Sequence, residues 1–395
     1  MNPLARVVLL ALAVILSACR EPSPARAPEA RRDAEPGTDE ARFLDGKGTR
    51  RQALLAALTN PDNEYSRQRI AHYGLEERGW DALPVWNART APVDGTTARA
   101  FSARRLVGVP ESTPRLWDGR RPTTPEGWIE LGRRVFFEHP LRAEAYAEYG
   151  LAHPEVLRAS GVRAAPDGTF PGLRVFEDID GQPRVGITCA LCHSAVVNGA
   201  VVAGFARREF DYGRLRLLYH ERTGAPLDPG LAARMARWGA GRADVTGDES
   251  EDPVSIPDLW GLKHQTFFTQ AGTLRHTGPL ALAVRQETQL IETAHERVRP
   301  PREFAWALAM FLYALEPPAT EVAGEDPALV ARGRSLFERS CARCHSNPAG
   351  GGDLIAVDRV GTDPALANGS ARGTGRYRPS ALVRVRDAGP YLHHG

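Results

Sequence analysis

Cys189-Ala190-Leu191-Cys192-His193 and Cys341-Ala342-Arg343-Cys344-His345 are the two stretches on which the reading of this chain turns. Each sets two thiols three positions apart and follows the second directly with a histidine. This spacing suits covalent attachment of a porphyrin. The two thiols form thioethers with its two vinyl groups, and the adjacent histidine reaches the iron from the proximal side. The motifs therefore predict two covalently bound haem c groups on Cys189, Cys192, Cys341 and Cys344, with His193 and His345 as proximal iron ligands. Two other chemistries use paired cysteines. A redox dithiol favours a βαβ setting and needs no histidine after it. A zinc site shared by the thiols would leave both histidines surplus. The chain has five cysteines, four of them in the motifs and the fifth at Cys19, so no pair remains for a structural disulfide.

The N-terminus fits a secretory signal. Arg6 supplies positive charge, and Val7 to Leu16 form an apolar run too short for a stable bilayer span. Leu16-Ser17-Ala18-Cys19 reads as a lipobox, with Cys19 lipidated and becoming the mature N-terminus. The plainer reading is an ordinary small-residue cleavage site. Arg20, rather than an aspartate, follows the cysteine, which points the lipid-anchored protein toward the outer membrane of the periplasm. No later segment is long and apolar enough to span, so the expected body is a soluble domain held by lipid. Residues 1–19 are thus expected to be the signal and 20–45 a disordered tether, rich in Pro, Ala, Arg and Glu and unable to bury a core.

Fifty basic Lys and Arg residues face 48 acidic ones, a formal net charge of +2, which gives no case for nucleic-acid binding. Residues 46–124 read as a loop-rich extension, with a short helix at Arg50 to Leu58 and loop signals from Pro61 to Arg121. Its Trp80, Trp86 and Trp117 are expected in the core or at a haem edge. A helix is predicted from Glu126 to Glu138, with Pro125 near its start, Trp128, Leu131, Val135 and Phe136 on one face, and Pro140 as its stop. Leu329 to Arg339 repeats the pattern, and Leu131-Gly132-Arg133-Arg134 matches Arg332-Gly333-Arg334-Ser335 in outline. The first motif lies about fifty residues beyond its helix, past loop signals at Pro166-Asp167-Gly168 and Asp180-Gly181. A second correspondence follows the motifs: Ile256-Pro257-Asp258-Leu259-Trp260 against Arg378-Pro379-Ser380 and Leu382. The chain therefore reads as one duplicated plan. The expected class is mainly α with minor β: two tandem cytochrome c-type haem domains at 125–300 and 326–395, joined by a linker helix within 301–325. Trp260 is the candidate bridge between the haems, with core packing as its plainer role.

In combination these segments resemble the di-haem cytochrome c peroxidase and MauG superfamily, including its rubber-oxygenase branch. The resemblance covers residues 125–395. It rests on Leu131 to Leu141, both haem motifs, Ala331 to His345, and Gly389-Pro390-Tyr391-Leu392-His393-His394-Gly395. It implies His393 as the sixth ligand of the second haem, with His394 as fallback. The peroxidase branch uses a methionine after the second motif for this purpose, but no methionine follows Met310 here. Gln286 and Glu296 lie in the stretch where, by this resemblance, the peroxidase relatives carry a distal glutamine and an acid; the plainer reading of both is an exposed helix face.

Between Ser194 and Tyr219 there is no histidine, and the downstream alignment sets Gln270 or Ala271 opposite His393. The first haem is therefore expected to keep an open or weakly held sixth position, with His264 and His276 as the competing ligands. An open haem beside a saturated one suggests reduction of hydrogen peroxide at haem one. Electrons would come from a small c-type cytochrome or another periplasmic donor through haem two. The alternatives are an electron carrier with both irons saturated, and an oxygenase acting with oxygen on an apolar substrate.

Overall fold

Helix Arg302–Ala314 is apolar all round, and the only place for such a helix is the inside of a fold. The computed structural model, which describes residues 36–74, 79–103, 108–245, 252–319, 324–387 and 389, puts it there. Phe304, Ala305, Trp306, Ala307, Leu308 and Ala309 are all buried. It is the central helix of the molecule rather than the joining linker that its position between the two motifs suggested.

Two helices flank it. Pro125–Glu138 is capped by Thr124, whose hydroxyl accepts from the Gly127 amide at 3.2 Å, and Pro125 stands in the first turn. Its apolar stripe of Trp128, Leu131, Val135 and Phe136 is buried, as its spacing predicted. The two helices meet at Gly132, where a Cβ would lie 1.9 Å from the Ala307 carbonyl oxygen. Only the absence of a side chain allows that approach. On the other side lies Pro279–Thr293, buried along most of its length.

In the expected loop-rich extension the short helix read at 50–58 is present, and two further helices, Glu64–Gly74 and Gly95–Ser102, interrupt the loops. Lys47–Ala57 and Glu64–Gly74 lie against helix 279–293 and close the core with Leu54, Tyr65 and Tyr73. Ion pairs fix them. Arg69 bonds Glu292, Tyr73 bonds Glu287, and Arg302 reaches Glu287 at 3.0 Å. The expected tether is also too long. Pro36–Leu44 is a helix that buries Phe43 and Leu44, because two adjacent apolar residues suffice once a core is there to receive them. The signal, Cys19 and the rest of the tether lie outside the described residues. Trp80 is a core residue, and Trp86 packs on His139 and Phe176.

The fifty residues before the first motif hold three of the four strands of the main sheet. Its antiparallel order is Thr90–Asp94, Thr169–Glu177, Pro183–Ile187 and Arg142–Ala143. The two central strands form a hairpin that turns at Asp180-Gly181, where Gly181 takes a positive φ. The last residue of strand 183–187 precedes Thr188, so the sheet delivers the chain directly into Cys189. Helix accounts for 44% of the described residues and strand for 14%, so helix predominates, with the strands in small antiparallel sheets. Among the described residues no helix is long and apolar enough to cross a membrane.

The described residues all fall within one compact unit. The reason lies in the segment 366–378, which crosses back from beyond the second motif. The Glu64 and Tyr65 amides donate to Ser370 and Ala371, the Asn60 and Asn63 side chains donate to the Gly373 carbonyl, and the Arg378 amide donates to Gln270 at 3.0 Å. A small core of Ala271, Leu366, Ala367 and Tyr377 forms beneath it. Helix Pro327–Ser340, the repeat of 125–138, stands apart with no buried residue, and Leu329 and Leu336 are more than half exposed.

Candidate functional site

The first motif is a single helical turn, Cys189–His193, set rigidly. The Thr188 hydroxyl caps it by accepting from the Ala190 amide, and the Ser194 hydroxyl donates back to the Ala190 carbonyl at 2.6 Å. Strand 169–177 presses against it from behind. Gly172 has φ +90 and its Cβ would fall 2.1 Å from the Leu191 nitrogen, so a side chain there would displace the turn. The Gly204 and Arg207 amides donate to the His193 and Cys192 carbonyls.

Cys189, Cys192 and His193 open onto a cavity of about 290 Å³. Apolar side chains dominate the wall, including Phe136, Ile187, Leu259, Phe268 and Leu308. The His193 ring donates from Nδ1 to the Pro257 carbonyl at 3.0 Å. That bond fixes the tautomer and leaves Nε2 as the unprotonated nitrogen. Burial in the cavity wall pushes the imidazole down to about 4, so it is neutral near pH 7, the form that binds a metal. Burial also raises the Cys189 thiol to about 11 and Cys192 to about 12. Thiols this resistant to ionisation are poorly suited to a redox dithiol, which needs an accessible thiolate.

Helix 279–293 supplies three polar side chains to the wall. Leu282, Arg285, Gln286, Gln289 and Leu290 follow helical spacing along 279–293, and all line the cavity. Arg285 donates to the Gln286 side-chain oxygen at 2.9 Å. The Gln289 amide nitrogen is buried with no partner. Of the expected distal pair, Gln286 lines the cavity and Glu296 does not. Glu296 lies past the helix end, accepts from Gln68 at 3.2 Å and stands 3.0 Å from the His72 ring. It holds helix 64–74 rather than facing the cavity. The wall's carboxylates are engaged as well: Asp258 by Arg208 at 2.9 Å, and Asp244 by Arg372 at 2.8 Å.

His276 is committed to packing. It donates from Nδ1 to the Gln265 carbonyl at 2.7 Å and bonds the Tyr313 hydroxyl through Nε2, so both ring nitrogens are used. His264 is exposed, and its carbonyl accepts from Asn347. Trp260 is buried off the cavity. Its ring covers Gly204, and the next residue, Gly261, lies against Ala381 and Val383. The Trp260 ring also meets Phe205 edge-on, so its own contacts are those of core packing.

The second motif follows helix 327–340 as a turn, with the Cys341 amide donating to Phe337 and those of Cys344 and His345 to Cys341. His345 repeats the tether of its counterpart, bonding the Gly350 carbonyl through Nδ1. Cys341 and Cys344 are half-buried. The expected sixth ligand, His393, and its fallback His394 lie outside the described residues. Among the described residues no three His, Cys, Asp or Glu side chains gather as a cluster.

Arg285, Gln289 and Arg378 escaped the sequence reading, although all three line the cavity. The first two share a helical face with Gln286, and that spacing was a usable signal. Arg378 had none, because it reaches the first site from beyond the second motif. No protein-family model matches the chain, and neither a curated protein nor a solved structure matches it.

Proposed function

We propose that the chain is a periplasmic, lipid-anchored di-haem c-type oxidoreductase, peroxidase-like in its chemistry, as its resemblance to the di-haem peroxidase and MauG superfamily implies. The observation that carries this reading is the first motif's setting. Two un-ionised thiols and one neutral histidine, its Nδ1 occupied and its Nε2 unprotonated, open together onto a mostly apolar cavity. Such a wall suits a flat apolar ring, and the buried orphan amide of Gln289 suits a polar group carried by it or bound upon it. The residues present therefore fit a haem.

Cys189 and Cys192 would hold the group and His193 would ligate its iron; Cys341, Cys344 and His345 would do the same for the second. When bound, haem supplies an iron that exchanges electrons and takes peroxide or oxygen at an open position. The apolar wall excludes water. Gln286, Gln289 and Arg285 are the side chains available to hydrogen-bond an oxygen species and to balance developing negative charge. Trp260, buried next to Gly261 where Ala381 and Val383 pack, is the proposed bridge between the two sites. His393 remains the proposed sixth ligand of the second haem. The proposed electron donor is a small c-type cytochrome or another periplasmic carrier, and Cys19 is the proposed lipid attachment. Labelling with a fatty-acid probe that vanishes in Cys19→Ser tests the anchor.

A second reading has an observation of its own. The cavity wall is largely apolar, and the carboxylates on it, Asp244 and Asp258, are engaged by arginines. An oxygenase acting on an apolar substrate needs no carboxylate base there. Electron paramagnetic resonance of the fully oxidised, haem-loaded protein comes first. A high-spin ferric signal beside a low-spin one supports an open first haem, and peroxide and oxygen reactivity then separate the two enzymes. Two low-spin signals that persist on partial reduction would leave an electron carrier. A mass lacking haem on the Cys189–His193 peptide would remove the reading altogether.

A further inference from the structure

Arg378 lies in the wall of the first cavity, though it belongs to the segment that follows the second motif. It is 8% exposed. Its backbone amide donates to Gln270 at 3.0 Å and its Nε to the Thr269 carbonyl at 2.8 Å. Its Nη1 is buried with no hydrogen-bond partner, and among the described residues it forms no ion pair. Burial lowers its pKa only to about 10, so the guanidinium is charged at neutral pH. A buried, unpaired charge is costly and calls for a counter-ion.

The cavity's own carboxylates do not answer that call. Asp258 is bound by Arg208 and the Ala206 amide, and Asp244 by Arg372 and the Asp252 amide. Arg285, on helix 279–293, likewise forms no ion pair among the described residues and donates only to the Gln286 amide oxygen. An apolar cavity with two unmatched guanidinium groups is complementary to a ligand that is apolar over its body and anionic at an edge. Guanidinium and carboxylate are geometrically matched for paired hydrogen bonds.

We propose that Arg378 is the anion anchor of the first cavity, binding a propionate carboxylate of the haem attached at Cys189 and Cys192. The second repeat thereby closes and tunes the first site. This rests on the haem reading above. Two consequences follow. The positive charge stabilises the reduced iron, which carries one positive charge fewer than the oxidised one, and so raises the potential of haem one. The propionate, held by a buried donor, also has a vibrational signature that depends on that donor.

The test uses the full, haem-loaded chain with Arg378→Gln and Arg378→Lys. Mass spectrometry of the Cys189–His193 peptide first establishes haem occupancy in each protein. Spectroelectrochemical titration and the propionate bending band in resonance Raman spectra are then read. Arg378→Gln is expected to lower the midpoint potential of haem one, to leave haem two unchanged, and to shift one propionate band. Arg378→Lys keeps the charge but loses the planar fork, so the potential stays near the parent value while the band still shifts. A loaded Arg378→Gln protein with parental potential and parental band overturns the anchor and leaves haem attachment standing. If Arg378→Gln does not accumulate, an unshifted band in Arg378→Lys overturns it equally. Parent protein without haem on the first motif removes both the haem reading and this proposal.

Discussion

His139, which caps the C-terminal end of helix 125–138, is 3% exposed and packs its ring 5.6 Å from Trp86 and 5.3 Å from Phe304. Its Nδ1 is buried without a partner. Burial alone pushes the imidazole down from 6.5 to about 4. The folded state therefore holds the neutral ring, while the unfolded chain takes up a proton below pH 6.5. Between about pH 4 and 6.5 the unfolded state binds more protons, so stability rises with pH across that window. His139 contributes its full share above 6.5 and loses it as pH falls toward 4. A shift of this size corresponds to about 3 kcal/mol. His139→Phe, which keeps an aromatic ring and cannot charge, should flatten the difference between urea midpoints measured at pH 7 and pH 4.5. An acid sensitivity equal to that of the parent would show that the ring is hydrated rather than buried.

Helices 125–138 and 327–340 are copies in sequence and unlike in environment. Gly132 lies where the central helix crosses, with the Ala307 carbonyl 1.9 Å from the position of a Cβ, whereas its counterpart Gly333 has nothing within 4 Å. Gly132→Ala must push two packed backbones apart and is expected to cost about 3 kcal/mol or more. Gly333→Ala meets open space within a helix and should stabilise by up to about 1 kcal/mol through propensity alone. Denaturant midpoints of the two variants should move in opposite directions, and a shared direction would mean that the helices are packed alike. This contrast bounds what could be read from the sequence. Helices 125–138 and 327–340 were legible from proline starts and apolar spacing, because those signals are local. So were the turns at Gly168 and Gly181, both with positive φ. The four-stranded sheet was not, because Thr90 pairs with Phe176 across a long stretch of chain and no local alternation marks it. Helix 36–44 was missed because Phe43 and Leu44 are all it offers in a polar segment, and tertiary packing supplies the rest. At the site, both motifs and Gln286 could be read, whereas Arg378 depended on a chain crossing that spacing does not encode.

On the scale of the whole molecule, the duplicated plan has been folded into one body. Asp244 belongs to the first repeat and Arg372 to the second, and they pair at 2.8 Å with both side chains nearly inaccessible. Asp252 adds its backbone carbonyl at 3.3 Å to the same guanidinium. Removing one partner of a buried pair leaves the other charge unsatisfied, at a cost of about 3–5 kcal/mol. Were the repeats independent domains, heating would melt them in two steps, and a lesson written into one would not be felt by the other. The shared segment 366–378 argues otherwise, because it is bonded at once to residues 60–65 and to residues 269–271. Calorimetry of the full chain should therefore give a single transition. Arg372→Ala, although it lies beyond the second motif, should lower that whole transition on the order of 5–10 °C. Two resolved transitions, with only one of them displaced by Arg372→Ala, would show that the repeats unfold separately and that the cavity wall supplied by residues 366–378 is not part of the cooperative core.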